Sequence, residues 1–444
     1  MESKGKFWKG FLVGALVMAF SGLMIVGVSA GIFLIGKAVM DDPSQARLVE
    51  EEGSPVLQEG ELNLYEINQK MNYIQDIIKQ YYLFEEDAEA VEDGIYLGLM
   101  YGLKDPYSVY YNEEDYASML EDTSGEYCGI GAMVSQNRST GIATVTKVFE
   151  GAPSFEAGML PGDIIYKVGG EDVAGMELDL LVSNYIRGEE GSKVKITVLR
   201  GDSNEEVELM IERRQIEVPT VEHEMLEDNI GYIYVMQFDS VTSQQFEKAV
   251  EDLESQGMEK LVIDLRDNPG GVLDGVVEML AYVLPEDKMD GLLLYTEDKD
   301  GKGDRYYCEN GKLKYDSDYG YKSDEFPKKD GHAIEVPMAV LVNGNSASAS
   351  EVFTGAIQDY EAGIVVGTQT FGKGIVQNLI PLGDGTAIKL TTAHYYTPSG
   401  FDLHQVGLTP DVEVELDEEL RTKAIVEKSE DNQLLAAIEA LKED

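Results

Sequence analysis

Cysteine occurs twice in 444 residues, tryptophan once and histidine four times. The two thiols, Cys128 and Cys308, leave room for one bridge at most. That excludes a disulfide scaffold and a four-thiolate zinc site. His223, His332, His394 and His404 are scattered, with no HExxH or similar ligand spacing, so no metal and no cofactor is expected. Basic residues are also scarce: 35 Lys and Arg stand against 83 Asp and Glu, a formal net charge of −48. A general nucleic-acid binder needs a basic stripe to neutralise phosphates, so no nucleic-acid partner is expected. Still, 43 % of the residues are hydrophobic, which excludes a wholly disordered acidic chain, and the length allows two or three domains.

One long uncharged run is present, from Gly10 to Gly36. At ~1.5 Å rise per residue it can cross a ~30 Å hydrocarbon core. Lys4, Lys6 and Lys9 precede it, while Asp41, Asp42 and Glu50 to Glu52 follow, with only Lys37 between. The positive-inside rule then places the start in the cytoplasm and the rest outside. A cleaved signal peptide is the rival reading, with Val28-Ser29-Ala30 as its small-residue site. Gly31 to Ile35 carries the apolar run past that site and favours an uncleaved, single-pass anchor. The expected organisation starts with a cytoplasmic stub and anchor (1–40) and an acidic linker (41–61). The expected location is the cell membrane, with the bulk of the chain extracytoplasmic.

Leu64, Ile67, Met71, Ile74 and Ile78 recur at helical spacing, and a second helical stretch runs from Ala88 to Leu103. These define an N-terminal helical region over 62–125, whose role is packing or a homodimer contact. From Tyr127 to Arg213 the pattern changes to short β-like runs, Ala143 to Val148 and Val194 to Leu199 among them, suiting one small mixed domain (126–213). Beyond Ile230, strands alternate with helices: Gly231 to Val235, Ser243 to Gln256, Leu261 to Leu265, Met338 to Val342 and Ser348 to Tyr360. This predicts an α/β core with parallel strands over 214–416. A polar stretch, 287–337, reads as a surface excursion, with Glu309-Asn310-Gly311 as a tight turn. The tail, 417–444, is charged and helical, with Leu434, Leu435, Ile438 and Leu441 as its apolar stripe; it packs on the core or forms a dimer contact.

Two stretches carry the chemistry. In Asn343-Gly344-Asn345-Ser346-Ala347-Ser348-Ala349-Ser350-Glu351, serines stand between an apolar strand and a helix. A serine there gains from the free N–H groups and dipole of the helix N-terminus; plain N-capping is the alternative. The second stretch, Gly367 to Lys373, fits the start of a phosphate loop, but Gly374 stands where that motif needs Ser or Thr and a β-like run follows. A nucleotide-binding regulator is therefore disfavoured.

The run "AGMLPGDIIYKVGGEDV" resembles a PDZ domain, and Cys128-Gly129-Ile130-Gly131-Ala132 matches the position of its carboxylate-binding loop. Glycines there free successive N–H groups to converge on a terminal carboxylate. "DLRDNPGG", "SASASE", "TFGKGIVQ" and "TPSGFDLHQVGLTPDVEV" follow in that order. With the PDZ pattern upstream they resemble the C-terminal processing peptidases, PDZ-bearing serine proteases of family S41, from about Leu62 to Leu416. The resemblance implies a multidomain α/β (α+β) chain with a crotonase- or ClpP-like core and an inserted PDZ domain. It carries the nucleophile onto Ser348, the general base onto Lys373, the lysine-orienting residue onto Gln377 and a supporting residue onto Glu351. It assigns the oxyanion hole to Ala349 with Gly270 or Gly271, and peptide binding to Gly129, Ile130, Gly131 and Ala132. Arg187 matches a PDZ arginine that couples ligand binding to activation; a plain surface ion pair is the alternative. The implied partners are proteins or peptides with accessible C-termini. The length of 287–337 and Cys128 in the carboxylate loop depart from the family pattern.

A lysine is a base only when neutral, so its pKa of ~10.4 has to fall, through burial or cationic neighbours. Phe371, Ile375 and Val376 are the expected desolvating neighbours, and Gln377 can accept from the amine without adding charge. A Ser-His-Asp triad using His394 or His404 with Asp264 or Asp267 is the competing scheme. The rival from another class is a PDZ adaptor with a spent active site.

Overall fold

The computed structural model describes residues 62–201, 203–284, 291–309, 312–319, 326–327, 333–423 and 426–443. The anchor expected over Gly10–Gly36, the linker 41–61, Asn310-Gly311 and His332 lie outside the described residues. Among the described residues no helix is long and apolar enough to cross a membrane. The chain divides into two units, Met1–Asp87 and Ala88–Asp444. The expected helical region 62–125 is therefore split between them.

In the first unit, Asn63 Oδ1 accepts from the Glu66 N–H at 3.2 Å and starts the helix Leu64–Tyr81. No residue of that helix is buried, and Leu64, Tyr65, Ile67, Tyr73 and Ile74 are exposed.

The second unit opens with the helix Ala88–Tyr101. Tyr96 tilts against Tyr110 at 5.1 Å, and Tyr110 donates to Asp93 at 3.1 Å. This ties the helix to the strand Val109–Tyr111, which pairs with Ala387–Tyr396 far along the chain. The helix Glu113–Ser124 follows, capped by the Asn112 side chain and ended by Gly125 in the left-handed region.

The next strands, Ala132–Gln136, Ala143–Val148, Ile164–Val168, Lys193–Arg200 and Glu205–Glu212, make an antiparallel sheet. It has its own core, with Val145, Met159, Leu181, Ile196, Val198 and Ile211 buried. The motif's Asp163 is buried under Arg200, whose Nε and Nη2 donate to it at 2.8 and 2.7 Å, while its Oδ2 takes the Leu160 N–H. Entry and exit are closed by Glu126–Gly129 paired with Arg214–Glu217.

The third sheet holds the site. Its order is Val221–Met225, Ile230–Val235, Lys260–Asp264, Met338–Val342, Ile364–Gly367, Val412–Glu413. From Ile230–Val235 onward, all neighbours are parallel. Parallel strands buried on both faces read as continuous apolar runs, and these do. Ile233, Val235, Ile263, Val340 and Val365 face the helices Thr242–Ser255, Leu273–Val283 and Ala349–Asp359. Tyr232, Val262, Ala339, Leu341 and Val366 face the tail helix Asn432–Glu443 through Leu434, Ala437 and Leu441. Leu435, predicted in that apolar stripe, is 46 % exposed; Ala437 takes the buried position. The tail is latched at its start. Arg266, just past the end of the internal strand Lys260–Asp264, is shared between Asp264 at 2.5 Å and Asp431 at 2.8 Å.

The described part of segment 287–337 is not a surface excursion. Gly291–Asp298, Asp304–Glu309 and Lys312–Ser317 extend an antiparallel sheet that also contains Ala387–Tyr396 and Val109–Tyr111. Leu293, Leu294, Cys308 and Leu313 are buried in the main core. Apolar residues among tyrosines and lysines bury one sheet face, which the polar average of the segment concealed. No disulfide joins Cys128 and Cys308.

Candidate active site

The strand Met338–Val342 ends in a tight turn in which Ser346 Oγ accepts from the Asn343 N–H at 2.9 Å and donates to Leu265 O at 2.7 Å. Ser350 is buried and donates to Asn268 O at 2.9 Å. Of the three serines, these two bind the turn to the neighbouring loop Asp267–Gly271. Ser348 stands at the N-cap position of the helix Ala349–Asp359, with φ +55° and ψ −117°. A non-glycine residue held there is strained, and such strain persists only where the surroundings enforce it.

Glu351 supplies that enforcement. It is fully buried. Its Oε2 accepts from the Ser348 N–H at 3.0 Å and from the Lys373 N–H at 2.8 Å. Its Oε1 accepts from Thr370 Oγ1 at 2.5 Å and from the Gly372 N–H at 2.7 Å. One carboxylate thus ties the backbones of Ser348 and Lys373 together. Tyr395, also buried, donates to Ser348 O at 3.0 Å. Burial, then the Glu351 charge, pushes its phenol well above the ordinary tyrosine value, so it stays a donor.

Ser348 and Lys373 line one cleft of about 560 Å³, together with Gln377, Gly270, Gly271, Ala349 and Lys389. Met119, Asp122 and Thr123, from the helix Glu113–Ser124, form another wall. The loop at Gly270 has to be glycine: an added Cβ would lie 2.6 Å from Ala347 O and 2.7 Å from Ser348 Cβ. Hydrogen bonding separates the two glycines. The Gly270 N–H is spent on Asn268 Oδ1 at 2.9 Å. Gly271 and Ala349 donate to nothing among the described residues. Two unspent N–H groups therefore border the cleft beside Ser348.

Burial, then the charge of Lys389, holds the Lys373 amine below the ordinary lysine value, against Asp105 and Glu351, which raise it. Ile375 and Val376 line the cleft beside Lys373. Phe371 does not help to desolvate the amine: it is 54 % exposed, and the ring under the Lys373 Nζ, at 4.6 Å, is that of Tyr107. Among the described residues no hydrogen bond joins Lys373 to Ser348 or to Gln377. The Gln377 amide instead donates to Ile375 O at 3.2 Å.

The triad alternative has no geometry behind it. Asp264 is engaged by Arg266 and Tyr232, and Asp267 by Asn343 and Asn345. His394 packs edge-on to His404, its Nδ1 3.6 Å from Asp402, and neither ring lines the cleft.

In the upstream domain, Ile130 is buried and Gly131 has φ +76°. Burial, first of all, raises the Tyr127 phenol above the ordinary tyrosine value, against the charge of Arg187 and the nearby Gly131 and Ala132 N–H groups. Arg187 lies 5.1 Å over the Tyr127 ring and pairs with Glu121, on the helix that walls the cleft. Tyr107 and Tyr395 escaped the sequence reading because only the fold brings them to the site, while Thr370 and Tyr127 stand in or beside the motifs but their letters do not show what they contact.

Comparison with known proteins gives the family. The peptidase family S41 model matches residues 229–414 and a PDZ domain model matches 128–211. A carboxy-terminal-processing protease of Bartonella bacilliformis is 34 % identical over 340 residues, covering 76 % of this chain and 72 % of that protein. A Staphylococcus haemolyticus protein named "Probable CtpA-like serine protease" is 34 % identical over 345 residues, covering 78 % of this chain. The chain spans 64 % of that relative's length. Among solved structures, a photosystem II D1 C-terminal processing protease aligns at 27 % identity with a TM-score of 0.41, over 79 % of this chain and 86 % of that one. The order of motifs, the inserted PDZ domain and the extent of identity to the Bartonella protein lead to one statement: this chain belongs to peptidase family S41, with the carboxy-terminal-processing proteases.

Proposed function

We propose that the protein is a membrane-anchored serine endopeptidase that cuts exported proteins with a Ser348–Lys373 dyad on a crotonase-like core. Its PDZ domain selects substrate C-termini. One observation carries the reading: Ser348, strained at a helix N-terminus, and Lys373 line one cleft, with Glu351 bound to the backbone of both.

In this reading the neutral Lys373 amine takes the Ser348 hydroxyl proton as Oγ bonds to the scissile carbonyl carbon. The new oxyanion meets the unspent N–H groups of Ala349 and Gly271. Collapse breaks the C–N bond, and the leaving amine takes the proton from Lys373. Water then hydrolyses the Ser348 ester by the same route. Gln377 serves as an acceptor for the amine once Lys373 turns from Tyr107. Only the neutral amine works, so kcat/KM should rise with pH through the Lys373 pKa, at a pH below the ordinary lysine value of ~10.4. A pH profile with no such rise contradicts the assignment.

The PDZ domain supplies a groove to which a peptide adds as a strand, its carboxylate held at Gly129 to Ala132. A carboxylate entering there comes close to Tyr127, and Arg187 links Tyr127 to the cleft wall through Glu121. Arg187→Ala should cut the preference for a free C-terminal tail over an amidated one by about fivefold or more. An unchanged ratio would leave Arg187 as an ion pair only. We place the anchor at 10–36 and the catalytic part outside the cell membrane, on the charge pattern of the N-terminus. A homodimer through Leu64–Tyr81 is proposed because none of that helix's residues is buried and Leu64, Ile67 and Ile74 are exposed; a monomer at micromolar concentration by light scattering would oppose it.

The test uses the full chain in detergent and an unfolded reporter with an apolar C-terminal tail, read by intact mass. Cleavage by wild type and not by Ser348→Ala is expected. Equal cleavage by both overturns the dyad. Tail binding with no cleavage by either makes the protein a PDZ adaptor.

A further inference from the structure

We propose that Tyr107 is a positioning residue for Lys373: its ring is the seat of the lysine ammonium, and Lys373 becomes a base by leaving it. The inference rests on the peptidase reading above and adds a residue to it. Lys373 Nζ lies 4.6 Å from the Tyr107 ring centroid and makes no hydrogen bond to Ser348 or Gln377.

The seat is built firmly. The Tyr107 N–H donates to Asp105 Oδ1 at 3.0 Å, and Ser108 Oγ donates to Asp105 Oδ2 at 2.5 Å. Ser108 Oγ also accepts the Thr391 N–H at 3.1 Å, and Thr391 pairs with Gln377 across the ladder. The Tyr107 backbone is therefore tied, through Asp105 and Ser108, to the strand next to the one that carries Gln377. The charged groups facing the amine are Lys389, Asp105 and Glu351. Lys389 has a seat of its own, 5.6 Å from the Tyr111 ring.

An aromatic face attracts an ammonium through its quadrupole and gives a neutral amine far less. The ring thus favours the protonated lysine, opposing burial and Lys389. Loss of the proton removes the attraction that keeps Nζ on the ring. Deprotonation and the turn toward Ser348 are then coupled.

The experiment follows the Lys373 ε-carbon by NMR titration in the full chain labelled with ¹³C-lysine, the signal assigned by its loss in Lys373→Arg. The Ser348→Ala background removes any dependence on turnover. Tyr107→Leu and Tyr107→Met, two non-aromatic variants, should lower the Lys373 pKa by about 0.5–1 unit. Tyr107→Phe, which keeps the ring, should hold the wild-type value. Amide spectra identify the folded variants to be compared. An unchanged or raised pKa in the non-aromatic variants, or a Phe variant that matches them, overturns the proposal. With Ser348 restored, the alkaline rise in kcat/KM should move to lower pH by the same amount in Tyr107→Leu. A shift in the titration without any proteolysis sustains the seat and defeats the peptidase reading; proteolysis without the shift does the reverse.

Discussion

Replacing Glu351 by alanine should lower kcat/KM about 10²-fold or more, because the two loops that present Ser348 and Lys373 lose the carboxylate they share. The side chain is fully buried and accepts four hydrogen bonds, two of them from the backbones of Ser348 and Lys373. Its loss strands those donors in a dry interior, so unfolding in urea should report roughly 3–5 kcal/mol of lost stability. Glutamine is the sharper test. It matches the shape, but its amide nitrogen brings two donors to a place that offers only donors, apart from the Thr370 hydroxyl. Glu351→Gln should therefore be impaired nearly as much as Glu351→Ala. Full activity in Glu351→Gln would show that the carboxylate packs rather than aligns.

Lys373→Arg should abolish turnover, by about 10⁴-fold or more. Arginine keeps the charge, the reach and the ability to stack on Tyr107, yet it stays protonated at any working pH. The substitution separates a lysine that accepts a proton from one that merely stabilises charge. Burial and Lys389 already depress the Lys373 amine. That depression is of use to a base and of none to a fixed cation. Activity within tenfold of wild type, from single-turnover kinetics on the reporter, would recast Lys373 as an electrostatic group.

Much of this was readable from residues. Strands such as Met338–Val342 announce themselves because both their faces are buried, leaving no polar position. The serine-bearing turn between a strand and a helix start is legible in the residues, but it is the family resemblance that singles out Ser348 among its three serines. What could not be read was anything that depends on which donor is already spent. Gly270 and Gly271 are equivalent as letters, and only the Asn268 side chain, folded back onto Gly270, separates them. Phe371 is the natural desolvating neighbour by adjacency, but it stands in a loop with 54 % of its surface exposed, and Tyr107, 266 positions before Lys373, supplies the ring. The polar stretch 287–337 misled for a related reason. Its mean composition is that of a loop, while Leu293, Leu294 and Leu313 bury one face of a sheet whose other strands lie far along the chain. Long-range pairing, as between Val109–Tyr111 and Ala387–Tyr396, leaves no local trace.

The central claim is that Lys373 activates Ser348 as a nucleophile. The most direct measurement is covalent labelling of the full chain with a fluorophosphonate, followed by peptide mass mapping at several pH values. The account predicts a single adduct on the peptide bearing Ser348, forming faster as pH rises through the Lys373 pKa, and absent from Lys373→Arg. An adduct on another serine, or equal labelling of Ser348 when Lys373 is arginine, would contradict it.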